Sequence, residues 1–596
     1  MSAAAQTLWA ELIAATLADA GITTCVVSPG SRSTPLVLAL AADGRLELPT
    51  IIDERAAAFF ALGVARATGT PAALVCTSGS AAAHYLPALV EASMAGVPLV
   101  AITADRPPEL QQCGAPQTID QIDLYGSFVR GSFDLGAPVG TALAVRALRR
   151  KVTQAVTLAR GPHPGPVHLE VPLRKPLEPA APTSDGERAL ARLVADLRRT
   201  PAAVHPPHLV ADAGALDAVA AAIAAEPRGV IVAGALPAEF AASRDAVFAL
   251  AARAGYPVLA EAGSQLRFGA RPAHVIDHLD LLLAAPSFAG APAPALVLQL
   301  GAEPVAAGWA AAQPVLADAE RWVLADHAWH DADSSARGVV IGDVATSLAA
   351  LLSRVPERAG DFVGGWRAAD ARVDTALGRA IAAHPRSEVA VMQAVLDAVP
   401  AGGIVQLGNS LPIRIVDHVR GGGAPHTVIT QRGAAGIDGM IASAAGATRT
   451  GRPVVLVLGD VSFAHDLGGL LATRHTTSPL AIVVLDNAGG RIFAGLPVAR
   501  STPAAAFEQH FLTAPALDPT AVAAALGVRA ITAASPEAVG SALAAALAVP
   551  GATLIHAPVT TTGAHDVRRD ALELLVSSAP PRSSRVLDFS ELPRSP

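Results

Sequence analysis

Residues 454–487, VVLVLGDVSFAHDLGGLLATRHTTSPLAIVVLDN, constrain the fold more than any other stretch of the chain. An apolar run at 454–458 predicts a buried strand, the pattern over 462–473 predicts a helix, and a second apolar run at 480–485 predicts another strand. A strand, a helix and a strand in this order form a right-handed βαβ unit with two parallel strands. The segment therefore predicts an α/β fold built on parallel sheet.

Polar residues follow both predicted strands, Gly459-Asp460 after the first and Asp486-Asn487 after the second. Because parallel strands end at one edge of a sheet, Asp460 and Asn487 are expected to point into one crevice, where ligands of α/β sheets bind. Carboxylate and amide oxygens suit Mg²⁺, and two ligands leave room for phosphate oxygens. The sequence thus predicts a site for a metal-bound diphosphate. In the structural alternative, Asp460 caps the following helix and Asn487 begins a turn.

Helical and strand patterns alternate along most of the chain. The predicted strands of the first third are 23–27, 50–52, 72–76 and 99–103, and its predicted helices are 7–20, 54–67 and 80–95. A proline-rich stretch at 161–183 precedes strands at 229–233, 258–260, 296–300 and 322–325, and later strands follow at 404–407 and 427–430. This rhythm predicts three doubly wound parallel-sheet domains, residues 1–182, 183–360 and 361–580, with a loosely held tail at 581–596.

Composition excludes several classes of protein. The chain has 596 residues, a net charge of −7 and no basic cluster, so a nucleic-acid partner is not expected. It has no apolar run of membrane-spanning length and no basic region of a signal peptide at its start, which predicts a cytoplasmic protein that does not bind membranes. Cys25, Cys76 and Cys113 are widely separated, and we expect reduced thiols buried in cores, not disulfides or a zinc site.

Two polar features stand out in the first predicted domain. The loop SPGSRST at 28–34 suits an anion, and Arg32 can bind a carboxylate through two N–H groups. Glu54 precedes the very apolar sequence AAAFFALGVA, so its carboxylate is expected to be poorly solvated and prone to a raised pKa. Both features have structural alternatives: turn chemistry with a helix cap for the loop, and a glutamate favoured by the helix dipole for Glu54.

A glycine-rich turn, QRGAAGIDG at 431–439, joins a predicted strand to a small-residue helix in the third domain. Its glycines let the backbone approach a ligand closely, and the start of the helix favours phosphate. A Rossmann-type nucleotide site would look the same, so the turn alone does not determine the ligand.

Together these motifs resemble thiamin-diphosphate-dependent enzymes, which anchor the cofactor's diphosphate through Mg²⁺ at a Gly-Asp…Asn motif. The chain is most similar to the family of 2-succinyl-5-enolpyruvyl-6-hydroxy-3-cyclohexene-1-carboxylate synthases of menaquinone biosynthesis. The motifs that carry this resemblance are SPGSRSTPL, DERAAAFFALG, TSGSAAAHYLPALVEA, TADRPPEL, GNSLPIR, RGAAGIDG and DNAGGRIF. It implies that residues 1–182 bind the aminopyrimidine and residues 361–580 the diphosphate, with a central α/β domain between them.

The resemblance implies a role for each loop. Glu54 matches the catalytic glutamate that hydrogen-bonds N1′ of the aminopyrimidine and so promotes the tautomer whose N4′ takes the C2 proton. Asp460, Asn487 and the main-chain carbonyl of Gly489 match the ligands of Mg²⁺ or Mn²⁺. The other residues that match cofactor contacts are Gly436, Ile437, Gly459, Val461, Ser462 and Gly490. Because these enzymes bind the cofactor between two chains, a homodimer or a dimer of dimers is implied.

The implied reaction is decarboxylation of 2-oxoglutarate, followed by 1,4-addition of the resulting carbanion equivalent to isochorismate. Both substrates are anionic, so cations and hydroxyls are needed where their carboxylates rest. The residues that match the 2-oxoglutarate side are Ser410, Arg414 and Arg432. Those that match the isochorismate side are Ser31, Arg32, Arg106 and Gln117, with an apolar wall of Ile492, Phe493 and Leu496.

The sequence departs from the family pattern in two places. Pro116 stands where relatives commonly have asparagine, which removes an amide from the isochorismate side. A middle-domain loop that often carries a substrate-binding lysine reads GAEPVAAG at 301–308, and no lysine follows Lys175. Either an arginine such as Arg267 or Arg271 replaces that lysine, or the second-substrate site is altered.

Two other functions are compatible with parts of the sequence. A thiamin-dependent decarboxylase or carboligase of the acetolactate synthase type would share the cofactor motifs, but the arginine-rich loops disfavour a small neutral acceptor. A non-catalytic nucleotide-binding regulatory protein would use only the glycine-rich turns. The presence of Glu54, Asp460 and Asn487 argues against it.

Overall fold

The computed structural model describes residues 3–358 and 360–577. Its strands form three sheets, and every pair of neighbouring strands is parallel. The predicted fold class, α/β with three parallel-sheet domains, is confirmed. Residues 578–580 of the third predicted domain and the predicted tail at 581–596 lie outside the described residues.

The first sheet has the strand order β1-β2-β3-β5-β4. Its strands are β1 (Cys25–Val27), β2 (Ala72–Cys76), β3 (Leu99–Asp105), β4 (Ser132–Asp134) and β5 (Val167–Pro172). The helices of this part are α1 (Ala3–Asp19), α2 (Thr34–Asp43), α3 (Glu54–Thr68), α4 (Ser80–Ala83), α5 (Leu86–Ala95), α6 (Ala142–Arg160) and α7 (Asp185–Arg199).

The second sheet has the order β11-β10-β9-β6-β7-β8. Its strands are β6 (Gly229–Ala233), β7 (Val258–Ala260), β8 (Val275–Ile276), β9 (Leu296–Leu300), β10 (Glu320–Ala325) and β11 (Gly338–Ile341). Its helices are α8 (Ala213–Ala225), α9 (Arg244–Ala254), α10 (Leu279–Ala284), α11 (Ala307–Leu316) and α12 (Val344–Leu352).

The third sheet has the order β13-β12-β14-β15-β17-β16. Its strands are β12 (Ile404–Leu407), β13 (Thr427–Thr430), β14 (Val454–Gly459), β15 (Leu480–Asp486), β16 (Arg529–Thr532) and β17 (Ala552–Pro558). The helices are α13 (Phe362–Ala383), α14 (Glu388–Ala398), α15 (Leu411–Ile415), α16 (Met440–Ala447), α17 (Asp460–His465), α18 (Gly469–Ala472), α19 (Val498–Ser501), α20 (Ala504–Phe507), α21 (Pro519–Ala525), α22 (Pro536–Leu547) and α23 (Gly563–Ser577).

Short irregular helices complete the connections. The 3₁₀ segments are Pro108–Leu110, Gly126–Phe128, Ala238–Ser243, Ala262–Ser264, Pro286–Gly290, Val416–His418, Thr448–Thr450, Thr473–His475 and Arg491–Gly495, and a π-helical turn covers Glu508–Leu512.

The predicted βαβ unit lies at the centre of the third sheet. β14 and β15 pair in parallel from Val454 opposite Leu480 to Gly459 opposite Leu485. Alternate residues of β14 pack into two different cores, with Val455 on one face of the sheet and Leu456 on the other. Fully burying such a side chain stabilises the fold by about 1.5–3 kcal/mol. The strand is therefore fixed from both faces, and its carboxyl end can carry a well-positioned site.

The order of the third sheet also creates a crevice. After β12 the chain runs to β13 on one side and later to β14 on the other, so the loops that leave β12 and β14 diverge. The place where two neighbouring strands send their loops to opposite sides of the sheet is called a topological switch point, and it is the usual ligand site of an open parallel sheet.

Several predicted elements differ in the structure. The predicted strand at 50–52 is reduced to one bridge between Val27 and Thr50. The predicted helix at 462–473 begins earlier, at Asp460, and breaks after His465. The reason is Asp466, whose Oδ2 accepts hydrogen bonds from Ile441 N (2.7 Å) and Ala442 N (3.3 Å) at the start of α16.

Two further sequence expectations also need correction. The predicted helix at 80–95 is interrupted between α4 and α5, where Pro87 lies in the first turn of the second helix. Cys25 and Cys76 are buried as expected, but Cys113 is exposed.

The predicted boundary after residue 182 stays a prediction, and the packing favours a later one. Leu190, Val194 and Leu197 of α7 share a core with Leu8 and Trp9 of α1. Helix α7 thus packs with the first sheet, which favours a boundary after Arg199.

The first and third domains approach closely where α3 packs against α16. A Cβ atom at Gly63 would lie 1.9 Å from the carbonyl oxygen of Ser443, and one at Gly446 would lie 2.0 Å from that of Phe60. Real Cβ atoms cannot come so near to a backbone atom, so glycine is required on both helices.

We expect Gly446→Ala to destabilise the protein by about 1–3 kcal/mol, because the added methyl group meets backbone that cannot move aside. The matched control is Gly378→Ala on α13, an exposed position where a Cβ would have nothing within 4 Å. There alanine should stabilise the helix slightly. Thermal denaturation of the two variants measures the difference. Equal midpoints would contradict the close packing of α3 and α16.

Candidate active site

The carboxyl ends of β14 and β15 are joined by a hydrogen bond. Asp460 Oδ2 accepts from Gly489 N at 2.7 Å, and its Oδ1 accepts from Val461 N at 3.0 Å. Gly459, not Asp460, occupies the position before the first helical residue of α17. The Asp460 carboxylate therefore joins the two strands across the crevice with one oxygen and accepts from an N–H group in the first turn of its own helix with the other.

Asn487 is held in a defined orientation beside Asp460. Its Nδ2 donates to Glu388 Oε1 at 2.9 Å, while Glu388 Oε2 accepts from Ala564 N at 2.7 Å. Asn487 Oδ1 is buried and has no hydrogen-bond partner in the part of the chain that the structure describes. An unsatisfied buried acceptor costs about 1–3 kcal/mol, so this oxygen fits a ligand that only the crevice can supply. A cation meets that requirement.

The electrostatics of Asp460 favour the same ligand. Burial raises its pKa to about 6, and the nearby Asp486 carboxylate adds to the shift, whereas the Gly489 N–H opposes it. A bound cation would stabilise the ionised form and reverse the effect of burial. The donor set is a carboxylate, an amide oxygen and backbone carbonyls, which suits a hard cation such as Mg²⁺ or Mn²⁺.

The loop after β15 is shaped by two glycines. Gly489 has φ +118°, and a Cβ there would lie 2.3 Å from the carbonyl oxygen of Leu512. Gly490 N donates to that same oxygen at 2.6 Å. The Gly489 carbonyl accepts from Arg491 N at 2.8 Å and keeps a second lone pair for a ligand.

The start of α17 supplies the other wall of the crevice. Ser462 is buried, Gly459 and Val461 are half-buried, and a Cβ at Gly459 would meet nothing within 4 Å. Open space at a strand-to-helix turn is where a phosphate group can reach backbone N–H groups.

Asn409 organises the loops after β12 and β13. Its Nδ2 donates to the carbonyl oxygens of Gln431 and Gly436, both at 2.7 Å, and its Oδ1 accepts from Arg432 Nη1 at 3.0 Å. The glycine-rich turn, including the half-buried Ile437, is thereby fixed next to the β12 loop. The sequence did not indicate this role for Asn409.

Two arginines and one glutamate meet at the same end of the sheet. Arg414 Nη1 donates to the carbonyl oxygen of Ser410, a residue with φ +71°. Burial lowers the pKa values of Arg414 and Arg432, and Arg432 adds to the shift of Arg414 by repulsion. Glu261 follows β7 of the middle domain and is 1% exposed. Its negative charge raises the pKa values of both arginines and so opposes the effect of burial.

Glu261 was not singled out from the sequence. Burial raises its pKa to about 7, and the charges of Arg432 and Arg414 oppose that shift. Its Oε1 accepts from Val305 N at 2.6 Å. Val305 belongs to the loop 301–308, where the family often carries a lysine. The Glu261 carboxylate therefore bonds the loop 301–308 and also acts electrostatically on Arg414 and Arg432.

Neither Arg267 nor Arg271 is placed as a substitute for that lysine. Arg267 is 1% exposed, and its guanidinium donates to the carbonyl oxygens of Asp277, Val416 and Val419. Arg271 forms an ion pair with Asp277. Arg267 thus links the middle domain to the third domain, whereas Arg271 is paired within the middle domain.

Glu54 begins α3 and is half-buried. The cap of this helix is Asp53, whose Oδ1 accepts from Arg55 N (2.9 Å) and Ala56 N (3.3 Å). The Glu54 carboxylate is thus not used to cap its own helix. Burial raises the pKa of the Cys76 thiol, and the charge of Glu54 adds a smaller contribution in the same direction.

Two of the four residues predicted to face an anion in the first domain, Arg106 and Gln117, converge on Ser78. Arg106 donates to Ser78 Oγ, and Gln117 Nε2 donates to the Ser78 carbonyl oxygen at 2.9 Å. Arg32 is 5% exposed, and burial, followed by repulsion from Arg106, lowers its pKa. Its Nε is buried with no partner among the described residues, and Ser31 beside it is exposed. This cationic cluster is called the Arg32 pocket below.

The predicted apolar wall lies in the 3₁₀ segment after Gly490. Ile492 and Phe493 are half-buried, and Leu496 is 47% exposed. The rings of Phe493 and Phe511 are 5.6 Å apart and meet edge to face. In a single chain the wall thus remains largely open to solvent.

The structure brings members of each substrate and metal set together, with Asp460 bonded to Gly489, Ser410 to Arg414, and Arg106 and Gln117 to Ser78, but does not join the sets into one site. Among residues 3–358 and 360–577, no hydrogen bond or ion pair links Glu54 or the Arg32 pocket to the crevice around Asp460. The contacts within one chain therefore form separate half-sites.

Comparison with known proteins identifies the family. Residues 9–124 match the family model for the thiamine pyrophosphate enzyme, N-terminal TPP binding domain, and residues 414–557 match the C-terminal TPP binding domain. Three relatives are named 2-succinyl-5-enolpyruvyl-6-hydroxy-3-cyclohexene-1-carboxylate synthase. They come from Sorangium cellulosum (43% identical, covering 98% of this chain and 98% of the relative), Roseiflexus castenholzii (39%, 95% and 97%) and Myxococcus xanthus (40%, 90% and 92%).

The chain belongs to the 2-succinyl-5-enolpyruvyl-6-hydroxy-3-cyclohexene-1-carboxylate synthase family. It is therefore a thiamin-diphosphate-dependent enzyme, as the sequence motifs predicted. A solved structure of benzoylformate decarboxylase from Polynucleobacter necessarius is similar in fold, with a TM-score of 0.68 at 19% identity, covering 93% of this chain and 98% of that chain.

Across residues 3–358 and 360–577, no helix is long and apolar enough to cross a bilayer.

The contacts of Glu388 generate a prediction for this member of the synthase family. Glu388→Ala should lower the affinity for Mg²⁺ about 10- to 100-fold, because Asn487 loses the acceptor that turns its oxygen toward the crevice. Calorimetric titration of Mg²⁺ in the presence of thiamin diphosphate measures the loss. Glu388→Gln, which keeps an oxygen for Asn487 Nδ2, should lose less. Wild-type affinity in both variants would show that Asn487 does not depend on Glu388.

Proposed function

We propose that the chain decarboxylates 2-oxoglutarate with thiamin diphosphate and adds the succinyl carbanion equivalent to isochorismate, giving 2-succinyl-5-enolpyruvyl-6-hydroxy-3-cyclohexene-1-carboxylate. The observation that carries this proposal is the presence of two separate cationic pockets. Arg414 and Arg432 lie at the third sheet, and the Arg32 pocket lies in the first domain. Two anionic substrates need two such pockets, whereas two small neutral groups do not.

The cofactor half-sites are assigned on the same basis. Thiamin diphosphate, when bound, supplies the carbon nucleophile and accepts the electrons released by decarboxylation. Glu54, as the catalytic residue, hydrogen-bonds the aminopyrimidine and holds a proton at that end. Residues along the diphosphate would be Gly436, Ile437, Gly459, Val461, Ser462 and Gly490.

The proposed metal is Mg²⁺ or Mn²⁺. Its protein ligands would be the Asp460 carboxylate, Asn487 Oδ1 and the carbonyl oxygen of Gly489. Support comes from the unsatisfied Asn487 Oδ1 and from the Asp460 carboxylate, which is ionised more readily beside a cation.

The substrate roles follow from charge and position. Ser410, Arg414 and Arg432 would hold the carboxylates of 2-oxoglutarate, with Glu261 limiting the net positive charge between the arginines. Ser31, Arg32, Arg106 and Gln117 would hold isochorismate. The apolar wall of Ile492, Phe493 and Leu496 would exclude water from its ring.

A complete site would need two chains, so we propose a homodimer or a dimer of dimers in the cytoplasm, with Glu54 of one chain facing Asp460 of another. Exposed apolar side chains support this arrangement. Ile52, two residues before Glu54, is 72% exposed, and Leu496 is 47% exposed. Under this proposal residues 1–182, extended by α7, bind the aminopyrimidine, and residues 361–580 bind the diphosphate.

The proposal predicts turnover of 2-oxoglutarate and isochorismate only when thiamin diphosphate and Mg²⁺ or Mn²⁺ are both present. The assay is product formation by cofactor-stripped protein before and after reconstitution, with pyruvate and neutral aldehydes as competing substrates. Full activity without the cofactor would overturn the proposal. Preference for pyruvate with a neutral acceptor would replace it with an acetolactate synthase type of activity.

Glu54→Gln should lower kcat about 10²- to 10⁴-fold, the usual contribution of a positioned acid or base. The affinity for thiamin diphosphate should change little, because the diphosphate is held by the third domain. Steady-state kinetics and calorimetry separate the two effects. The control is Glu47→Gln, an exposed residue paired with Arg449. Near-normal turnover of Glu54→Gln would remove Glu54 from its proposed role.

A further inference from the structure

Two buried carboxyl groups lie beneath the Arg32 pocket and have no part in the reaction as proposed. Asp105 ends β3 and is 0% exposed, and Glu170 lies on the neighbouring strand β5 and is 2% exposed. Glu170 pairs with Thr103, two residues before Asp105, so the two carboxyl side chains lie on the same face of neighbouring strands, and each acts on the pKa of the other. Asp105 Oδ1 and Glu170 Oε1 are both buried and have no hydrogen-bond partner in the part of the chain that the structure describes.

The remaining oxygen of each carboxyl group already accepts hydrogen bonds. Glu170 Oε2 accepts from Thr103 Oγ1 at 2.6 Å and from Gln121 Nε2 at 3.3 Å. Asp105 Oδ2 accepts from Gln111 Nε2 at 3.0 Å. These donors leave Asp105 Oδ1 and Glu170 Oε1 as the two buried oxygens that still lack a donor.

Two ionised carboxylates cannot hydrogen-bond to each other, since both are acceptors only. One proton between them satisfies both unpaired oxygens and removes one of two buried negative charges. Burial raises the pKa of Asp105 to about 7, and the charge of Glu170 adds to the shift. Burial likewise raises the pKa of Glu170 to about 7.

The pair is connected to the Arg32 pocket through short contacts. Arg106 follows Asp105 directly in the chain. Gln121, which donates to Glu170, also accepts from Gly79 N at 2.8 Å through its Oε1. Gly79 is the neighbour of Ser78, on which Arg106 and Gln117 converge.

Other charged or titratable groups around the pair do not account for a proton near neutral pH. They are Arg32, Arg106, Asp134, His168, Cys76 and Tyr125. Burial lowers the pKa of His168 to about 4, and raises those of Cys76 and Tyr125 above the neutral range. Arginines stay charged, and Asp134 is exposed to solvent.

We propose that Asp105 and Glu170 hold one proton between them at neutral pH, and that this proton sets the charge of the Arg32 pocket for its anionic substrate. The inference rests on the proposed function, in which isochorismate occupies that pocket. Asp105 and Glu170 are positioning residues, because they act through Arg32, Arg106 and Gln121 and do not touch the substrate.

The proposal has a defined pH dependence. Above about pH 7 the pair loses its proton, and a second buried negative charge then weakens the attraction of Arg32 and Arg106 for a dianion. The KM for isochorismate should therefore rise with pH, by up to about tenfold per pH unit, the limit for one linked proton. Isochorismate's own carboxylates titrate far below this range.

The test compares wild type with Glu170→Gln and Asp105→Asn. Either amide places an N–H group where the shared proton lies and cannot titrate. We expect the alkaline rise in KM for isochorismate in the wild type and its loss in both variants. The pH dependence of KM for 2-oxoglutarate should be the same in all three, since Glu261 and not this pair faces that substrate.

Asp134→Asn is the matched control, because Asp134 acts on Glu170 from the edge of the first sheet but is exposed. It should keep the wild-type rise. Thermal melting checks that the variants fold, and the two amide variants test the same proton from opposite sides. A flat wild-type profile, or an unchanged rise in either folded amide variant, would overturn the proposal.

A separate readout distinguishes this proposal from the proposed function. Single-turnover release of CO₂ from 2-oxoglutarate needs no isochorismate. If reconstituted wild-type protein releases no CO₂, the proposed function is wrong and the shared-proton inference falls with it. If it releases CO₂ but its KM for isochorismate does not respond to pH as described, only the shared-proton inference is wrong.

Discussion

The parallel pairing of β14 with β15 is the constraint on which the site depends. It places Asp460 and the loop from Asn487 to Gly490 at one edge of the third sheet, where the Gly489 N–H closes onto Asp460 at 2.7 Å. Both strands are buried on two faces, so the loop ends cannot drift apart without disturbing two cores. A slip of one residue would also exchange the two faces. The crevice is therefore as rigid as the centre of the sheet.

Three buried glutamates hold the loops around that crevice, and each comes from a different domain or helix. Glu388 orients Asn487, and Glu261 binds the loop 301–308 through Val305 N. Glu91 of α5 accepts from Gly433 N (3.0 Å) and Ala434 N (2.6 Å) in the glycine-rich turn. A buried carboxylate is costly unless its oxygens are bonded, so each glutamate fixes its partners firmly. This explains how loops from distant parts of the chain keep one geometry.

Buried acids of raised pKa lie beside the cations of the two proposed substrate pockets. Glu261 faces Arg414 and Arg432, and Asp105 faces Arg32. Burying unpaired arginines would be unfavourable without substrate, and burying full ion pairs would weaken the attraction for substrate. A carboxyl group that is only partly ionised offsets part of the arginine charge, less than a full ion pair would. Under the proposed function, such an arrangement would keep the empty pockets stable and still attract dianions.

The sequence by itself determined the fold class, the βαβ unit and the family, because apolar periodicity and strand-end motifs are local properties. It also named Asp460, Asn487 and the arginines as candidate site residues, and their roles stay predictions. Only the tertiary structure decided that Asp466 ends α17, that Arg267 and Arg271 serve packing, and that Asn409, Ser78, Glu91, Glu261 and Glu388 support the site. The physical reason is that these side chains act through partners tens to hundreds of residues away. Their burial and hydrogen bonds exist only once distant strands and helices have packed together.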